Sequence, residues 1–425
     1  MKRREFLNVA ACAALGASLG MLPGSASGAT SSGAASSGAA SGAASGGTSG
    51  KRLIVLFLRG GLDGLSAVVP VDDRWYYQAR PSIALAPPGQ EGGTLPLAPG
   101  FGLHPALEPL LEFWRAGSLS IIPACGLPTP VRTHPEAQRA MESGQPTERH
   151  NRDGWLARML PLLGPQAKTL ALAPTPPLIS QGRPGVQNVR PTGFPPSVWR
   201  IERPAIFSSF DAIYQGNDPL SRSYRQSQTV LRNKLTELDR EISVSSAGAP
   251  SIHALPTLGG QITSYIEKNP DVRLVYAALG GLDAHFKQGA EKGRLAEALL
   301  SLGKGLASLG KTLGPVLDDT CVLVMSEFGR SLRENEYGGT DNGHATVFMV
   351  LGGRTAGGAL HGPWPGLAPE KLSDGLDLAA GVDSREVVAQ IAASHFGLGR
   401  EAVAQVLPAY TPSGALNSLF RSIGP

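Results

Sequence analysis

The sequence predicts an α/β fold, a largely parallel sheet covered by helices on both faces. Two observations carry that reading. Short apolar runs rich in Val, Ile and Leu show little alternation and end in Gly or polar turns, as strands buried on both faces do. Between them lie segments with the i, i+3, i+4, i+7 stripe of amphipathic helices, so that strand and helix patterns alternate along the chain.

The strand runs are Leu53–Leu58, Leu119–Ala124, Val272–Leu279, Thr320–Met325 and Thr346–Leu351, with Thr169–Leu172 as a weaker sixth. Leu107, Leu110, Leu111 and Trp114 form one helical stripe, Leu295, Leu299, Leu302 and Leu306 another, and a long polar helix is expected from Pro219 to Ile242. The Pro-rich stretch Pro174 to Pro204 reads as an irregular excursion. With 42% hydrophobic and 17% charged residues over 425 positions, the composition is that of a globular chain, and one large domain from residue 51 to 425 is expected. The 54 Gly and 35 Pro point to long loops.

The first residues read as an address. Lys2-Arg3-Arg4-Glu5-Phe6-Leu7 carries paired arginines followed by Phe-Leu, then an uncharged Ala/Gly/Leu stretch and the small residues Ala26-Ser27-Gly28-Ala29. That is the order of a removable twin-arginine export signal spanning residues 1–28, which sends the folded chain through the twin-arginine translocase to the periplasm or otherwise outside the cytoplasm. Its middle is too weakly apolar for a membrane span, so the mature form is not expected to cross one. Residues 29–50 are almost wholly Gly, Ser, Ala and Thr, the composition of a flexible tether. Half of the +4 net charge belongs to Lys2, Arg3, Arg4 and Glu5, and the remainder gives no electrostatic reason to expect nucleic acid. Cys125 and Cys321 lie in or beside apolar runs; buried free thiols are the simpler reading, a disulfide in an oxidising compartment the alternative.

In such sheets ligands bind beyond the carboxyl ends of the strands. There the chain places Asp63 after the first run, Asp283 and His285 after Val272–Leu279, Glu327 after Thr320–Met325, and Asp341 and His344 just before Thr346–Leu351. Carboxylates and imidazoles meeting at one point would suit a divalent metal ion such as zinc, calcium or magnesium. Each residue alone is as well explained as a turn or cap. Thr133 has two readings. Thr133-x-x-Glu136 with Pro135 is a capping box, while a hydroxyl at a helix N-terminus could also be a nucleophile. His134 is a candidate acid/base, and Arg59 and Arg330 are candidate clamps for an anionic group, with ordinary salt bridges as the alternative.

Leu58-Arg59-Gly60-Gly61-Leu62-Asp63-Gly64-Leu65, Gly102-Leu103-His104-Pro105, Met141-Glu142-Ser143, Asp153-Gly154-Trp155-Leu156, Leu282-Asp283-Ala284-His285, Ser326-Glu327-Phe328-Gly329-Arg330 and Gly339-Thr340-Asp341-Asn342-Gly343-His344 together resemble the exported family called domain of unknown function 1501. The resemblance implies an alkaline phosphatase/sulfatase-like α/β domain with a two-metal site at the carboxyl edge of the sheet. By position Asp63 resembles the first-strand metal ligand, Thr133 the nucleophile, Asp283 and His285 a ligand pair, Glu327 an acidic ligand and His344 the late histidine ligand. Phe328 stands where the wider superfamily commonly has His, and Asn342 where family members often do. The implied function is a metal-dependent hydrolase acting on a small anionic phosphate or sulfate ester. The alternative is a non-catalytic binding or assembly protein with an unknown protein partner.

Overall fold

A computed structural model describes residues 50–146, 151–191 and 204–421. The expected leader and nearly all of the tether lie outside the described residues, as does part of the Pro-rich stretch. Eight strands form one sheet: β1 (Arg52–Leu58), β2 (Leu119–Gly126), β3 (Lys168–Leu172), β4 (Val186–Val189), β5 (Val272–Leu279), β6 (Thr320–Ser326), β7 (Thr346–Gly352) and β8 (Val382–Asp383). Their order is β8-β2-β7-β6-β1-β5-β3-β4. Every pairing is parallel except those of β7, which runs antiparallel to both β2 and β6. Because β7 is reversed, its amino end lies at the edge where the other strands have their carboxyl ends.

All six predicted runs are strands of this sheet. β4 corrects the irregular reading of Pro174–Pro204: Val186–Val189 forms the outer strand beside β3, although its residues are largely exposed. Leu107–Trp114 is also more broken than a single helix, because Pro109 removes a backbone donor; a 3-10 turn at Pro105–Leu110 precedes an α-turn at Leu111–Arg115. The long polar helix runs from Pro219 to Ser246.

Side chains along β1 divide between the faces. Leu53, Val55 and Phe57 join one core with Ala137, Met141, Trp155, Val387 and Val406. Ile54, Leu56 and Leu58 join the other with Leu258 and Ile262 of helix Leu255–Lys268 and with Leu299, Leu302 and Leu306 of helix Arg294–Leu313. Both faces of the sheet are covered. Among the described residues, no helix is long and apolar enough to cross a membrane.

Asp63 anchors the loop after β1. It is fully buried, and its oxygens accept from Arg80 (2.7 and 3.0 Å), Ser66 (2.7 Å) and Gln288 (2.6 Å). Burial alone would raise its pKa; the Arg80 charge and these hydrogen bonds outweigh that and hold it below the usual carboxylate value. Its stabilisation is therefore present above the unfolded pKa of about 3.9 and drains away as the pH falls toward the folded value.

Asp63→Asn leaves Arg80 buried against a neutral partner. It should lower stability at neutral pH by about 3–5 kcal/mol and flatten the acid limb of thermal melts; equal melting of the two proteins at pH 7 would discard this account. Cys125 and Cys321 are free and fully buried, with β7 between their strands, so the disulfide alternative does not occur. Two strand spacings, roughly 9.6 Å, exceed disulfide reach. In a chain lacking its first 49 residues both thiols should resist Ellman's reagent when native and react on denaturation without reductant.

Candidate metal centre

The loops at the carboxyl edge are held by Arg330. Its side chain is fully buried, and all five of its N–H groups are used. Nε donates to Gly61 O (3.0 Å), Nη1 to Thr340 O (3.2 Å) and Asn342 Oδ1 (3.1 Å), and Nη2 to Gly60 O and to Asp283 Oδ1 (2.6 Å). The sequence-level role of Arg330 as an anion clamp gives way to the salt-bridge alternative, because no donor is left. Glycine is required where these loops cross. Gly60 has φ +110°, and a Cβ there would meet Asp283 N at 2.8 Å; one on Gly61 would meet the Phe328 ring at 2.7 Å.

Within this frame His134, Asp283 and His285 come together, with one ligand atom from each lying within 4.8 Å of the others. His134 opens the helix His134–Ser143, and the other two follow β5. His134 Nε2 is 3.8 Å from Asp283 Oδ2, and His285 Nε2 is 3.3 Å from Asp283 Oδ1. The latter is near the roughly 3.4 Å edge of a tetrahedral zinc shell with 2.0–2.1 Å bonds. His134 and Asp283 are buried and His285 is partly exposed.

Each imidazole is held from behind by a carboxylate. His134 Nδ1 is 2.8 Å from Glu327 Oε1, and His285 Nδ1 is 3.1 Å from Asp341 Oδ1. An ionised carboxylate only accepts, so both Nδ1 atoms carry a proton and each ring turns its Nε2, the atom a metal would take, toward Asp283. His134 Nε2 is buried with no hydrogen-bond partner among the described residues. Burial alone would raise the pKa of Glu327; the His134 hydrogen bond and charge, then Gly60 N–H and Gln138, hold it low. Burial of Asp283 is likewise outweighed by Arg330, His285 and His134, which keeps it ionised. The His285 hydrogen bond lowers Asp341. Glu327 and Asp341, read from the sequence as direct ligands, thus stand behind the two imidazoles.

The other expected residues lie elsewhere. Asp63 is occupied with Arg80, and His344 Nε2 donates to Leu127 O at 2.8 Å; neither is in the three-residue cluster. Thr133 caps by position but makes no side-chain cap. Its exposed hydroxyl donates to Glu136 Oε2 at 2.7 Å, so the second half of the capping box is replaced by a side-chain pair. Arg59 pairs with Glu142 Oε1 at 3.0 Å.

Sequence reasoning missed Gln138 and Glu142. Gln138 donates to Glu327 and Ser245 O, while Glu142 accepts from Arg59 and Tyr276. A signal for them existed: His134, Gln138 and Glu142 recur every four residues, a buried polar stripe on one helix face. Arg80 and Gln288, the partners of Asp63, carried no comparable pattern.

No curated protein matches the chain. Among solved structures it is similar to a phosphonate monoester hydrolase of Agrobacterium radiobacter, at 10% identity over 85% of this chain and 78% of that one, with a TM-score of 0.37. It is similar to the PsFucS1 sulfatase from Pseudoalteromonas sp. at 12% identity over 83% and 68%, TM-score 0.37. A protein in the alkaline phosphatase superfamily from Vibrio parahaemolyticus matches at 11% identity over 71% and 60%, TM-score 0.35. The model of the family described as "Protein of unknown function (DUF1501)" matches residues 123–407, well over half of the sequence, and the chain belongs to that family.

Proposed function

We propose that this protein is an exported, metal-dependent hydrolase of a phosphate or sulfate ester, with one divalent cation held by His134, Asp283 and His285. The observation that carries the reading is the pair of carboxylate-backed imidazoles whose Nε2 atoms lie beside one carboxylate. Two nitrogen donors and one oxygen donor favour zinc over calcium or magnesium, which prefer oxygen alone. Such an ion supplies Lewis acidity and a bound water with a pKa near 7. Glu327 and Asp341 fix the ring orientations, and Arg330 fixes Asp283. Thr133 offers an exposed hydroxyl beside His134, at a helix N-terminus that favours an incoming anion. Export through the twin-arginine route, suggested by residues 1–28, would let the folded chain load its metal before crossing.

A second reading, a binding or assembly protein without turnover, is favoured by two contacts. Arg330 already balances Asp283, and Phe328 packs on His134 with ring centroids 4.7 Å apart, where the superfamily commonly has another imidazole.

Elemental analysis of protein purified after export should find about one zinc-class ion per chain. His285→Ala, at the partly exposed corner, should lose the ion while staying folded, and Glu327→Gln should weaken binding about 10–100-fold. A chain that takes up no cation, with His285→Ala indistinguishable from it, would refute the metal centre. Turnover of aryl phosphate or sulfate by the loaded protein, lost in His285→Ala, would exclude the non-catalytic reading; full loading without turnover would favour it.

A further inference from the structure

A groove of about 410 Å³ opens between the helix Arg74–Ala79 and residues 364–371, and it contains none of the three residues of the cation cluster. Asp73 staples its two walls. Oδ1 accepts from the Trp75 N–H at 3.0 Å and Oδ2 from the Leu367 N–H at 3.1 Å. Three half-buried rings, Trp75, Phe101 and Trp364, line the groove, with Phe101 and Trp364 edge to face and their centroids 5.2 Å apart. Backbone hydrogen bonds and ring packing thus set its shape without a ligand.

The polar groups here are mixed in kind and largely unspent. Among the described residues neither indole N–H has a hydrogen-bond partner, and Asp72 and Lys371, both exposed, enter no ion pair. Arg74 lies over the Trp75 ring, its guanidinium carbon 4.8 Å from the centroid. Asp72 and Asp73 set against Arg74 and Lys371 leave the lining without net charge. A ligand that answers these groups must donate to Asp72, accept from Lys371 and the indoles, carry no net charge and cover aromatic surface. A hydroxyl both donates and accepts. We infer that the groove binds a neutral saccharide whose hydroxyls are mostly equatorial. Equatorial hydroxyls leave axial C–H groups on the two faces of a pyranose; neighbouring oxygens polarise those hydrogens positively, and the negative face of an aromatic ring attracts them. A proline-rich peptide, which aromatic grooves also take, accepts through its carbonyls, but proline has no N–H to offer Asp72. An anion would meet Asp72, and a cation would meet Arg74 and Lys371. At about 30 Å³ per water the space equals roughly fourteen waters, which takes more than one sugar ring.

The test uses cellotriose, a neutral chain of equatorially substituted rings, followed by calorimetry and by saturation-transfer NMR. Titrations are run on the full mature chain both metal-loaded and metal-stripped, so that failure of the cation centre and failure of the groove are read separately. Cellotriose should bind equally in both states. Asp72→Ala and Lys371→Met, at exposed positions, should each weaken it about fivefold with melting temperature and metal content unchanged. Trp364→Ala should weaken it about tenfold. No binding of cellotriose, binding that disappears with the metal, tighter binding of hexaproline, or an unchanged affinity in both Asp72→Ala and Lys371→Met would each overturn the inference.

Discussion

The carboxyl edge of this protein depends on one buried guanidinium. Arg330 ties the loop after β1, the loop after β5 and the hairpin Arg330–Glu334/Thr340–Asn342 into one body, through three backbone carbonyls, one amide and one carboxylate. A guanidinium is suited to this because its five donors lie in one plane at fixed angles, so the groups it binds are fixed relative to one another. Gly60 and Gly61 make the approach possible, since any Cβ there would strike Asp283 or Phe328. The position of Asp283, on which every reading of the centre rests, is a consequence of this arrangement. An ammonium in the same place would offer three donors and could not hold all five acceptors.

The fold was largely legible in the sequence because its strands are buried on both faces. β1, β2, β5, β6 and β7 announce themselves as largely apolar runs, interrupted inside only by Ser120 in β2 and Arg273 in β5, and the edge strands do not. β4 is exposed and β8 is two residues long, so neither carries a pattern that distinguishes it from a loop. The helix at Leu107–Trp114 was misread for a local reason, since the stripe of leucines survives a 3-10 turn while the hydrogen bonding does not.

The centre was legible as a location and not as a set of roles. Strand ends dictate which edge receives Asp63, Asp283, His285, Glu327, Asp341 and His344, but not the direction each side chain takes. Asp63 turns to Arg80, a residue with no marking in the sequence, because a buried carboxylate needs a compensating charge or hydrogen bonds and Arg80 supplies both. Glu327 and Asp341 stand one layer behind the imidazoles, a difference of a single hydrogen bond that spacing cannot encode. The sequence marks His134 as an acid/base and its neighbour Thr133 as cap or nucleophile, and neither reading contains the ring's place beside Asp283. The stripe His134-Gln138-Glu142 shows why the histidine matters more for the architecture: one helix face delivers a ring to the cluster, an amide to Glu327 and a carboxylate to Arg59.

Charge accounting at the buried edge links these parts. Burial alone would raise Asp283 and Glu327, yet both are held below the usual carboxylate range, Asp283 by Arg330 and the two imidazoles and Glu327 by His134 and its hydrogen bonds. Hydrogen bonds from Gly60 N–H, Gln138 and His134 make the Glu327 carboxylate tolerable in its buried position. A protein that needed only a stable edge would gain by replacing Glu327 with an amide or an apolar residue, because buried ion networks seldom out-stabilise well-packed apolar ones. Glu327 is kept instead, accepting from an imidazole whose opposite nitrogen is buried with no hydrogen-bond partner among the described residues. An imidazole oriented by one buried carboxylate, with its other nitrogen facing a second, is what a cation ligand needs and what packing alone does not call for.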